Sequence, residues 1–300
     1  MNKKKIFVVV INWNKKDFTI ECLKSLEIAI GNKKNISVVL VDNNSSDGSS
    51  DVFKKLKYKF NFSFIQNEKN LGWTGGNNTG IKFALSNGAS CIMLLANDSI
   101  IKKGAIELLV QKLFSKNNIG IVGPKIYHYD KYPPIISNAG NFFNSNFEGK
   151  DLGDGEKDYG QYNKIQETDF VSGTAFIIKH DVFEQIGYFD DRLFIYYEDV
   201  DFCLRAKKAG FKCFFEQKAI VYHRGAATTI VSSPLHTYYN MRNRLIDMER
   251  YATIKAKINE AGKIAKLAAK YMIRRRSTDK FALYGVRDYL LRRFGERKYW

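Results

Sequence analysis

The sequence has few prolines and no long hydrophobic run. Only 4 of its 300 residues are proline, so the chain is not a proline-rich linker protein. No apolar run approaches the roughly 18 residues that a membrane-spanning helix needs. The apolar run at residues 6–11 follows lysines, but it is too short for a signal peptide and ends at a polar asparagine. We therefore interpret it as a buried strand.

Cysteine is also scarce. The 4 cysteines, Cys22, Cys91, Cys203 and Cys213, show no C-x-x-C spacing and lie in apolar stretches. This pattern favours buried, reduced thiols in a cytosolic protein over a disulfide framework or a zinc site. Hydrophobic residues make up 45% of the chain and aromatic residues 14%. That is enough for a substantial core, and it excludes a mainly disordered protein.

The positive charge is concentrated near the C-terminus. The chain has a net charge of +17, and residues 241–300 supply +11 of it, with 17 lysines and arginines against 6 acidic residues. A basic amphipathic helix is typical of binding to an anionic membrane surface, and equally of packing on the helix's own domain with a solvated lysine face. We do not expect nucleic-acid binding, because no recognition module is apparent. The apolar residues at helical spacing are Ile254, Ile258, Ala261, Ala265, Ala268 and Met272.

Strand-like and helix-like segments alternate in the first third of the chain. This alternation predicts an α/β protein with a parallel sheet. In such sheets, ligands bind beyond the carboxyl ends of the strands. The predicted strands are residues 6–11, 36–41, 62–65 and 91–95, and the predicted helices are residues 16–30 and 77–87.

Polar residues follow three of these strands, at positions 12–14, 42–48 and 97–99. Turns favour such residues anyway, but three polar ends at one edge of a sheet indicate a binding site. Neither a dinucleotide-binding nor a triphosphate-binding glycine motif is present. The glycine-rich residues 72–80 suit either a close approach of the backbone to a ligand or a flexible loop with a helix cap.

Three carboxylates lie in an aromatic stretch in the second half of the chain. Glu198, Asp199 and Asp201 lie near the predicted start of a helix, where acidic residues are electrostatically favoured. Their aromatic neighbours and mutual repulsion also create the conditions that raise a carboxylate pKa and produce a general base, which is the interpretation we favour. His223 follows an apolar strand, and a lone histidine is more often structural than a ligand.

In their order along the chain, these segments resemble the family 2 glycosyltransferases, and most of all the bacterial rhamnosyltransferase-like members that build cell-surface polysaccharides. The resemblance implies the GT-A fold, a mostly parallel central sheet flanked by helices with a C-terminal helical extension. It implies a catalytic domain in residues 1–240 and a basic, membrane-associating helical tail in residues 241–300. The matching segments are VVVINWN (8–14), VVLVDNNSSDGS (38–49), NEKNLGWTGGNNTGIKFA (67–84), MLLANDS (93–99), VSGTAFII (171–178), GYFDDRLFIYYEDVDFCLRAKKAGF (187–211), AIVYHRGAAT (219–228) and MRNR (241–244).

The resemblance also implies binding roles. Asp98 and His223 would hold a divalent cation, Mg²⁺ or Mn²⁺, although Asn97 occupies the first acidic position of the family's metal motif. Asp42 would hold the nucleobase, and Arg242 with Asn243 would reach the diphosphate. The residues expected to bind the nucleotide-sugar donor are Asn12, Trp13, Asp42, Asn44, Asn70, Gly72, Gly76, Asn77, Asn97 and Arg242.

The catalytic roles implied by the resemblance fall on the acidic cluster. Asp199 would be the general base of an inverting transfer, Glu198 would assist it, and Trp73 and Asp201 would contact the acceptor. The expected reaction moves rhamnose from dTDP-rhamnose to a hydroxyl of a lipid-linked or polysaccharide acceptor during cell-surface glycan synthesis. A galactofuranosyl or N-acetylhexosaminyl transferase using a UDP-sugar is the alternative, and a non-catalytic nucleotide-sugar-binding protein is a weaker one. The expected location is cytoplasmic, on the inner face of the cell membrane.

Overall fold

The computed structural model describes residues 4–164, 166–225 and 233–297. The last three residues of the predicted segment 219–228 lie outside this range. The strands are β1 Ile6–Asn12, β2 Ile36–Asp42, β3 Asn61–Gln66, β4 Cys91–Ala96, β5 Ser99–Ile101, β6 Ile119–His128, β7 Ile136–Asn138, β8 Asn141–Phe143, β9 Gly149–Asp151, β10 Gln166–Thr168, β11 Ala175–Lys179 and β12 Lys212–His223. The helices are α1 Lys16–Ile30, α2 Ser49–Phe53, α3 Gly72–Ser86, α4 Ala105–Leu113, α5 His180–Ile186, α6 Glu198–Lys208, α7 Pro234–Tyr251, α8 Ile254–Arg274 and α9 Ser277–Leu290.

One mixed sheet forms the centre of the protein, in the order β10-β12-β6-β11-β4-β1-β2-β3. Strands β3, β2, β1 and β4 are parallel neighbours, and β6 and β12 run in the same direction. Strand β11 lies antiparallel between β4 and β6. The predicted mostly parallel sheet flanked by helices is therefore confirmed.

The strands are apolar because both faces of the sheet are covered. Every residue of β1 and β2 is buried, as expected for strands that lie between two layers of helices. Helices α1 and α4 pack on one face, whereas α3 and α6 pack on the other. All four cysteines are buried, as predicted, and none of them forms a disulfide in the structure.

The glycine-rich segment begins a helix and is not a loop. Helix α3 begins at Gly72, five residues before the predicted start. The helix packs closely on β1, since a Cβ at Gly80 would lie 2.3 Å from Cγ1 of Val9. Glycine weakens an isolated helix, but here it permits the close contact between helix and sheet.

The C-terminal helices contact the rest of the protein unequally. Residue 240, the predicted domain boundary, lies inside α7, and α9 packs on α7 so closely that a Cβ at Gly285 would lie 2.6 Å from the carbonyl oxygen of Tyr238. Helix α8 leaves much of its predicted apolar side in solvent, including Ile254, Ile258 and Met272. Within the described ranges, no helix is both long and apolar enough to cross a membrane.

Candidate active site

A cavity of about 490 Å³ opens at the carboxyl edge of the sheet. Strands β1, β2 and β4 end here in register, with Asn12 opposite Asp42 and Ile11 opposite Ala96. Because β11 runs antiparallel, the residues that precede it lie at the same edge. Nine of the predicted site residues line the cavity, and they are Trp13, Asn70, Gly72, Trp73, Asn97, Asp98, Glu198, Asp199 and His223.

The predicted nucleobase residue Asp42 is buried behind the cavity wall. Its carboxylate accepts hydrogen bonds from Nδ2 of Asn12 at 2.8 Å, from the main-chain N–H of Ser45 at 2.9 Å and from the Ser45 hydroxyl at 2.7 Å. These contacts brace the turn after β2. Like Asp42, the predicted donor residues Asn12 and Asn44 are absent from the lining of the cavity in the described structure.

The adjacent residue, Asn43, does line the cavity, although it was not among the predicted site residues. Its Nδ2 donates to the carbonyl oxygen of Gly72 at 2.8 Å and to Oδ1 of Asn70 at 3.2 Å, so it joins the end of β2 to the start of α3. Gly76 lies against this amide, since a Cβ there would be 2.9 Å from Nδ2 of Asn43. Asn77 donates to the carbonyl oxygen of Trp73 at 2.9 Å and supports the helix.

Asp98 and His223 face each other across the cavity floor. Strand β5 pairs antiparallel with β12 and places Ser99 opposite His223, which brings Nε2 of the histidine to 3.2 Å from Oδ1 of Asp98. The two side chains are 22% and 5% exposed. One oxygen and one imidazole nitrogen suit Mn²⁺, and also Mg²⁺ if other oxygen ligands complete the shell. Within the described residues, no three histidine, cysteine or acidic side chains gather to hold a metal ion.

Asn97 lines the cavity and also connects this floor to the neighbouring strand end. Its Nδ2 donates to Oγ1 of Thr19 at 2.9 Å, and the Thr19 hydroxyl donates to Oδ1 of Asn12 at 2.7 Å. This chain of polar side chains ties the end of β4 to the end of β1. The buried amides therefore fix the relative positions of the strand ends that carry Trp13 and Asp98.

Glu198 and Asp199 begin α6 and face the cavity. Oδ2 of Asp199 accepts a hydrogen bond from the main-chain N–H of Gly173 at 2.6 Å, and Oδ1 accepts one from Val200 at 2.8 Å. Burial raises the pKa of Asp199 to about 6, although these two backbone N–H groups act in the opposite direction. At neutral pH the residue is therefore mostly ionised while it keeps appreciable basicity.

Glu198 lies in a different environment from its neighbour. It is buried, and its Oε2 has no hydrogen-bond partner within the described structure. Burial and the neighbouring Asp199 raise the pKa of Glu198 well above its usual range. Two adjacent carboxyl groups whose pKa values are shifted to different extents can serve as a base and a hydrogen-bond donor.

The segment before this pair has an unusual backbone. Phe194, Tyr196 and Tyr197 have φ angles of 63°, 68° and 70°, in the left-handed region that L residues other than glycine seldom adopt. All three residues contribute to the lining of the cavity. Such strain persists where the surrounding structure determines the conformation, and it concentrates at functional sites.

Two predicted site residues have their polar groups engaged away from the cavity. Asp201 is fully buried and pairs with Arg205 at 2.8 Å and with Arg250 at 2.7 Å. The buried guanidinium of Arg242 donates to backbone carbonyl oxygens, including that of Leu193 at 3.0 Å. Neither residue lines the cavity in the described structure. The geometry therefore does not support direct contact of Asp201 with the acceptor, or of Arg242 with the diphosphate.

The C-terminal part of the chain also contributes to the cavity wall. His236 and Tyr239 of α7 line it, as do Glu296 and Arg297. No sequence signal singled out these positions, because their approach depends on how α7 and α9 pack. Ser172 and Thr174 also line the cavity; they belong to the segment VSGTAFII, which carried the resemblance but received no role.

Comparison with known proteins gives this geometry a context. The family model described as glycosyl transferase family 2 matches residues 7–187. A low-salt glycan biosynthesis hexosyltransferase, Agl10 of Haloferax volcanii, is 28% identical over 213 residues, which are 69% of this chain and 66% of that protein, slightly under two thirds of its length. The dTDP-rhamnosyl transferase RfbF of Shigella flexneri is 26% identical over 253 residues, which are 80% of this chain and 79% of that protein.

A solved structure resembles the fold over nearly the whole chain. It is the mannosyltransferase PcManGT of Pyrobaculum calidifontis, in complex with GDP-Man and Mn²⁺. The TM-score is 0.59 at 11% identity, and the match covers 96% of this chain and 88% of that chain. At this identity the likeness concerns the fold alone, which is the GT-A fold that the sequence predicted.

Proposed function

The chain belongs to glycosyl transferase family 2, and from that premise we propose that it catalyses an inverting transfer of a sugar from a nucleotide donor to an acceptor hydroxyl. The observation that carries the proposal is one cavity that holds both the Asp98–His223 pair and the Asp199 carboxylate. The first group suits a diphosphate with its cation, and the second suits a hydroxyl that must lose a proton.

In the proposed reaction, Asp199 accepts the proton of the acceptor hydroxyl as its oxygen attacks the anomeric carbon. The bond between that carbon and the diphosphate oxygen breaks on the opposite face, so no covalent intermediate with the protein forms. Asp98 and His223 would hold the divalent cation, whose charge stabilises the leaving diphosphate. Glu198 would assist this base from the adjacent position, with its Oε2 buried and unpartnered within the described residues.

Donor and acceptor are proposed to occupy different walls of the cavity. Asn43, Asn70 and Gly72 form the wall at the ends of β2 and the start of α3, which suits the nucleotide. Trp73 and the aromatic residues before Glu198 form a wall that suits the acceptor, because sugar faces pack on aromatic rings. The nucleotide sugar and a glycan or lipid-linked glycan are the proposed substrates.

We propose dTDP-rhamnose as the donor, supported by the likeness to RfbF. A UDP-sugar-dependent galactofuranosyl or N-acetylhexosaminyl transferase of the same fold is the alternative. A panel of nucleotide sugars, tested with Mg²⁺ and Mn²⁺ for protection against thermal unfolding and for donor hydrolysis, distinguishes them. Stabilisation by a UDP-sugar and not by dTDP-rhamnose would favour the alternative, and binding without turnover would favour a non-catalytic binding protein.

Two isosteric variants test the assignment of the base. Asp199→Asn cannot accept the proton, so transfer should fall by about 10²–10⁴-fold, the usual contribution of general base catalysis, while donor binding persists. Glu198→Gln keeps a neutral hydrogen-bond donor and should retain more activity. Equal activity of Asp199→Asn and the unsubstituted enzyme would refute this assignment.

Helix α8 is the proposed contact with an anionic membrane surface. Its exposed apolar residues Ile258 and Met272 lie on a helix that also carries exposed lysines, and lipid-linked acceptors would bring the enzyme to the inner face of the membrane. Deleting residues 245–300 is a poor test, because α9 packs on α7 and Arg297 lines the cavity. A better test compares an Ile258→Glu, Met272→Glu double variant with the control Ile28→Glu, which changes an exposed residue of α1.

The measurement is co-sedimentation with vesicles that contain phosphatidylglycerol, with pure phosphatidylcholine vesicles as the reference. The double variant should lose binding to the anionic vesicles, and the control should keep it. Unchanged binding of the double variant would end the membrane proposal and leave α8 as a helix with a solvated face.

A further inference from the structure

Glu198 and Asp199 follow a segment whose backbone conformation depends on contacts with neighbouring residues. Residues 192–197, here called the left-handed loop, contain three non-glycine residues with φ between 63° and 70°. Each such residue costs of the order of 1–3 kcal/mol unless neighbouring groups determine its conformation. Phe194, Tyr196 and Tyr197 line the cavity, whereas backbone carbonyl oxygens of the loop bind two side chains of α7 that do not line it.

Asn243 supplies one set of these contacts. This residue of α7 is completely buried, and its Nδ2 donates to the carbonyl oxygens of Leu193, Ile195 and Tyr196, each at 2.8 Å. The two N–H groups of this side-chain amide are therefore shared among three backbone carbonyls of the left-handed loop. The loop is neither helix nor strand, and of these three carbonyls that of Leu193 also accepts a hydrogen bond from the loop's own Ile195 N–H, at 2.7 Å.

Arg242 supplies the second set. Its Nη2 donates to the carbonyl oxygens of Arg192 and Leu193, both at 3.0 Å, and its Nε donates to Oδ1 of Asn243 at 2.9 Å. The contact with Asn243 orients the amide so that its NH₂ group faces the loop. The planar, five-donor guanidinium suits several carbonyls at once, which an ammonium group on a flexible stem cannot match.

The C-terminal segment completes this arrangement. The carbonyl oxygen of Gly295 accepts from Nη1 of Arg242 at 2.8 Å, and its N–H donates to the carbonyl oxygen of Arg192 at 2.8 Å. Gly295 thus joins the guanidinium to the first residue of the loop. It follows α9, which packs on the helix that carries Arg242 and Asn243.

We propose that Arg242 and Asn243 are positioning residues that hold the left-handed loop and thereby place Glu198 and Asp199 in the cavity. The proposal rests on the proposed function, since it assigns these two residues to the geometry of its base. It replaces the direct contact with the diphosphate that the resemblance implied for Arg242. Arg242 and Asn243 act through the loop, because neither residue lines the cavity in the described structure.

The loop also contacts the opposite wall of the cavity. The carbonyl oxygen of Phe194 accepts a hydrogen bond from the main-chain N–H of Thr74 at 3.0 Å, near the start of α3. The same pair of positioning residues therefore sets the distance between the wall proposed for the nucleotide and the base proposed for the acceptor. A loosened loop should raise the barrier to transfer more than it weakens binding of the donor.

The decisive variants are Asn243→Ala and Asn243→Asp. The first removes the three hydrogen bonds, and the second also places a carboxylate against three carbonyl oxygens. We expect kcat per folded molecule to fall by about 100-fold, which a misplacement of about 1 Å is enough to cause, with a small change in the KM for the donor. Asn259→Ala is the matched control, because Asn259 lies on α8 and its amide donates to Oδ1 of Asn146 at 3.0 Å, a contact outside the loop.

The pH profile separates positioning from general destabilisation. The N–H of Gly173 lowers the pKa of Asp199, so a displaced Asp199 that loses this bond should titrate at a higher pH than in the unsubstituted enzyme. Glu198, Asp151 of β9 and Asp247 of α7 also act on Asp199, and none of them is substituted. Circular dichroism and thermal unfolding supply the folded fraction.

Arg242→Lys is the second variant, and it decides the question if the Asn243 variants fail to fold. It keeps the charge but cannot bind the three carbonyl oxygens together, so kcat should fall and the pH profile should shift upward. Unchanged kcat per folded molecule and an unshifted profile in a folded variant would overturn the positioning role. Activity that survives Asp199→Asn would instead overturn the proposed base, so the two failures are distinguishable.

Discussion

The main-chain N–H of Gly173 donates a hydrogen bond to Oδ2 of Asp199 at 2.6 Å, and this contact joins the segment before β11 to the start of α6. Because β11 lies between β4 and β6 in the sheet, the carboxylate is held against the rigid centre of the fold. Gly173 faces both members of the acidic pair. It is therefore the position at which the smallest change in the chain should disturb the base.

The first prediction concerns Gly173→Ala. An added Cβ would lie 3.1 Å from Oδ2 of Asp199, so that carboxylate must shift by a few tenths of an ångström, and 3.4 Å from Oε1 of Glu198, which is close to ordinary contact. The φ angle of Gly173 is outside the left-handed region, so the backbone itself accepts alanine. We expect a loss of stability of about 1–3 kcal/mol, typical of overpacking, and a fall in kcat of about tenfold or more.

The control for this substitution is Gly262→Ala, which adds a methyl group on α8 where no atom lies within 4 Å. It should be neutral or slightly stabilising, because alanine is the better helix former by roughly 1 kcal/mol. Steady-state kinetics and thermal unfolding of both variants check the prediction. Full activity of Gly173→Ala would show that the acidic pair tolerates displacement.

The second prediction is the pH dependence of transfer. Burial raises the pKa of Asp199 to about 6, above the ordinary value for aspartate. A general base works only when deprotonated, so kcat/KM should be flat above that pH and fall about tenfold per unit below it. Asp199 interacts electrostatically with Glu198, Asp151, Asp247, Tyr197 and Cys203, and the two backbone N–H groups bind it. An acidic limb near pH 4 would contradict the buried environment.

The third prediction concerns the contact between the two walls. A Cβ at Gly72 would lie 2.3 Å from the carbonyl oxygen of Phe194, and Gly72 has a φ of +71°. Gly72→Ala should therefore destabilise the fold by more than the strain of a left-handed alanine alone, which is about 1–2 kcal/mol. Gly104→Ala isolates that strain, because Gly104 is left-handed with a φ of +87° and has no atom within 4 Å of the added Cβ. Equal losses of stability in the two variants would show that the start of α3 can move away from Phe194 without a further loss of stability.

The sequence predicts the fold well because its signals are local. Continuous apolar runs identified β1, β2 and β4, and polar residues after them identified the binding edge. The direction of each side chain at that edge was harder to predict from the sequence. Asp42 and Asn43 are consecutive, and only Asn43 lines the cavity. Consecutive residues at a strand end face opposite sides, so a shift of one position changes which side chain meets the ligand.

Arg242 illustrates the other limit of sequence reasoning. An arginine in a segment that resembles a transferase suggests contact with phosphate, yet its partners include Gly295, 53 residues further along the chain. That contact exists only because α9 packs back on α7. Long-range packing of this kind leaves no pattern in the composition or periodicity of residues 241–300, so neither the buried guanidinium nor the cavity-lining Arg297 could be predicted.

The last prediction concerns the cation. If Asp98 and His223 hold it, removal of divalent ions with EDTA should abolish transfer, and Mn²⁺ or Mg²⁺ should restore it. His223→Ala should raise the Mn²⁺ concentration needed for half-maximal activity by about 10–100-fold, a change usual for altered metal surroundings. The effect with Mg²⁺ should be smaller, because imidazole contributes more to binding of Mn²⁺ than of the harder ion. His128→Ala is the control, since His128 pairs with Asp154 on the surface. Full activity of the EDTA-treated enzyme would show that the diphosphate leaves without a cation, and that the Asp98–His223 pair serves the fold alone.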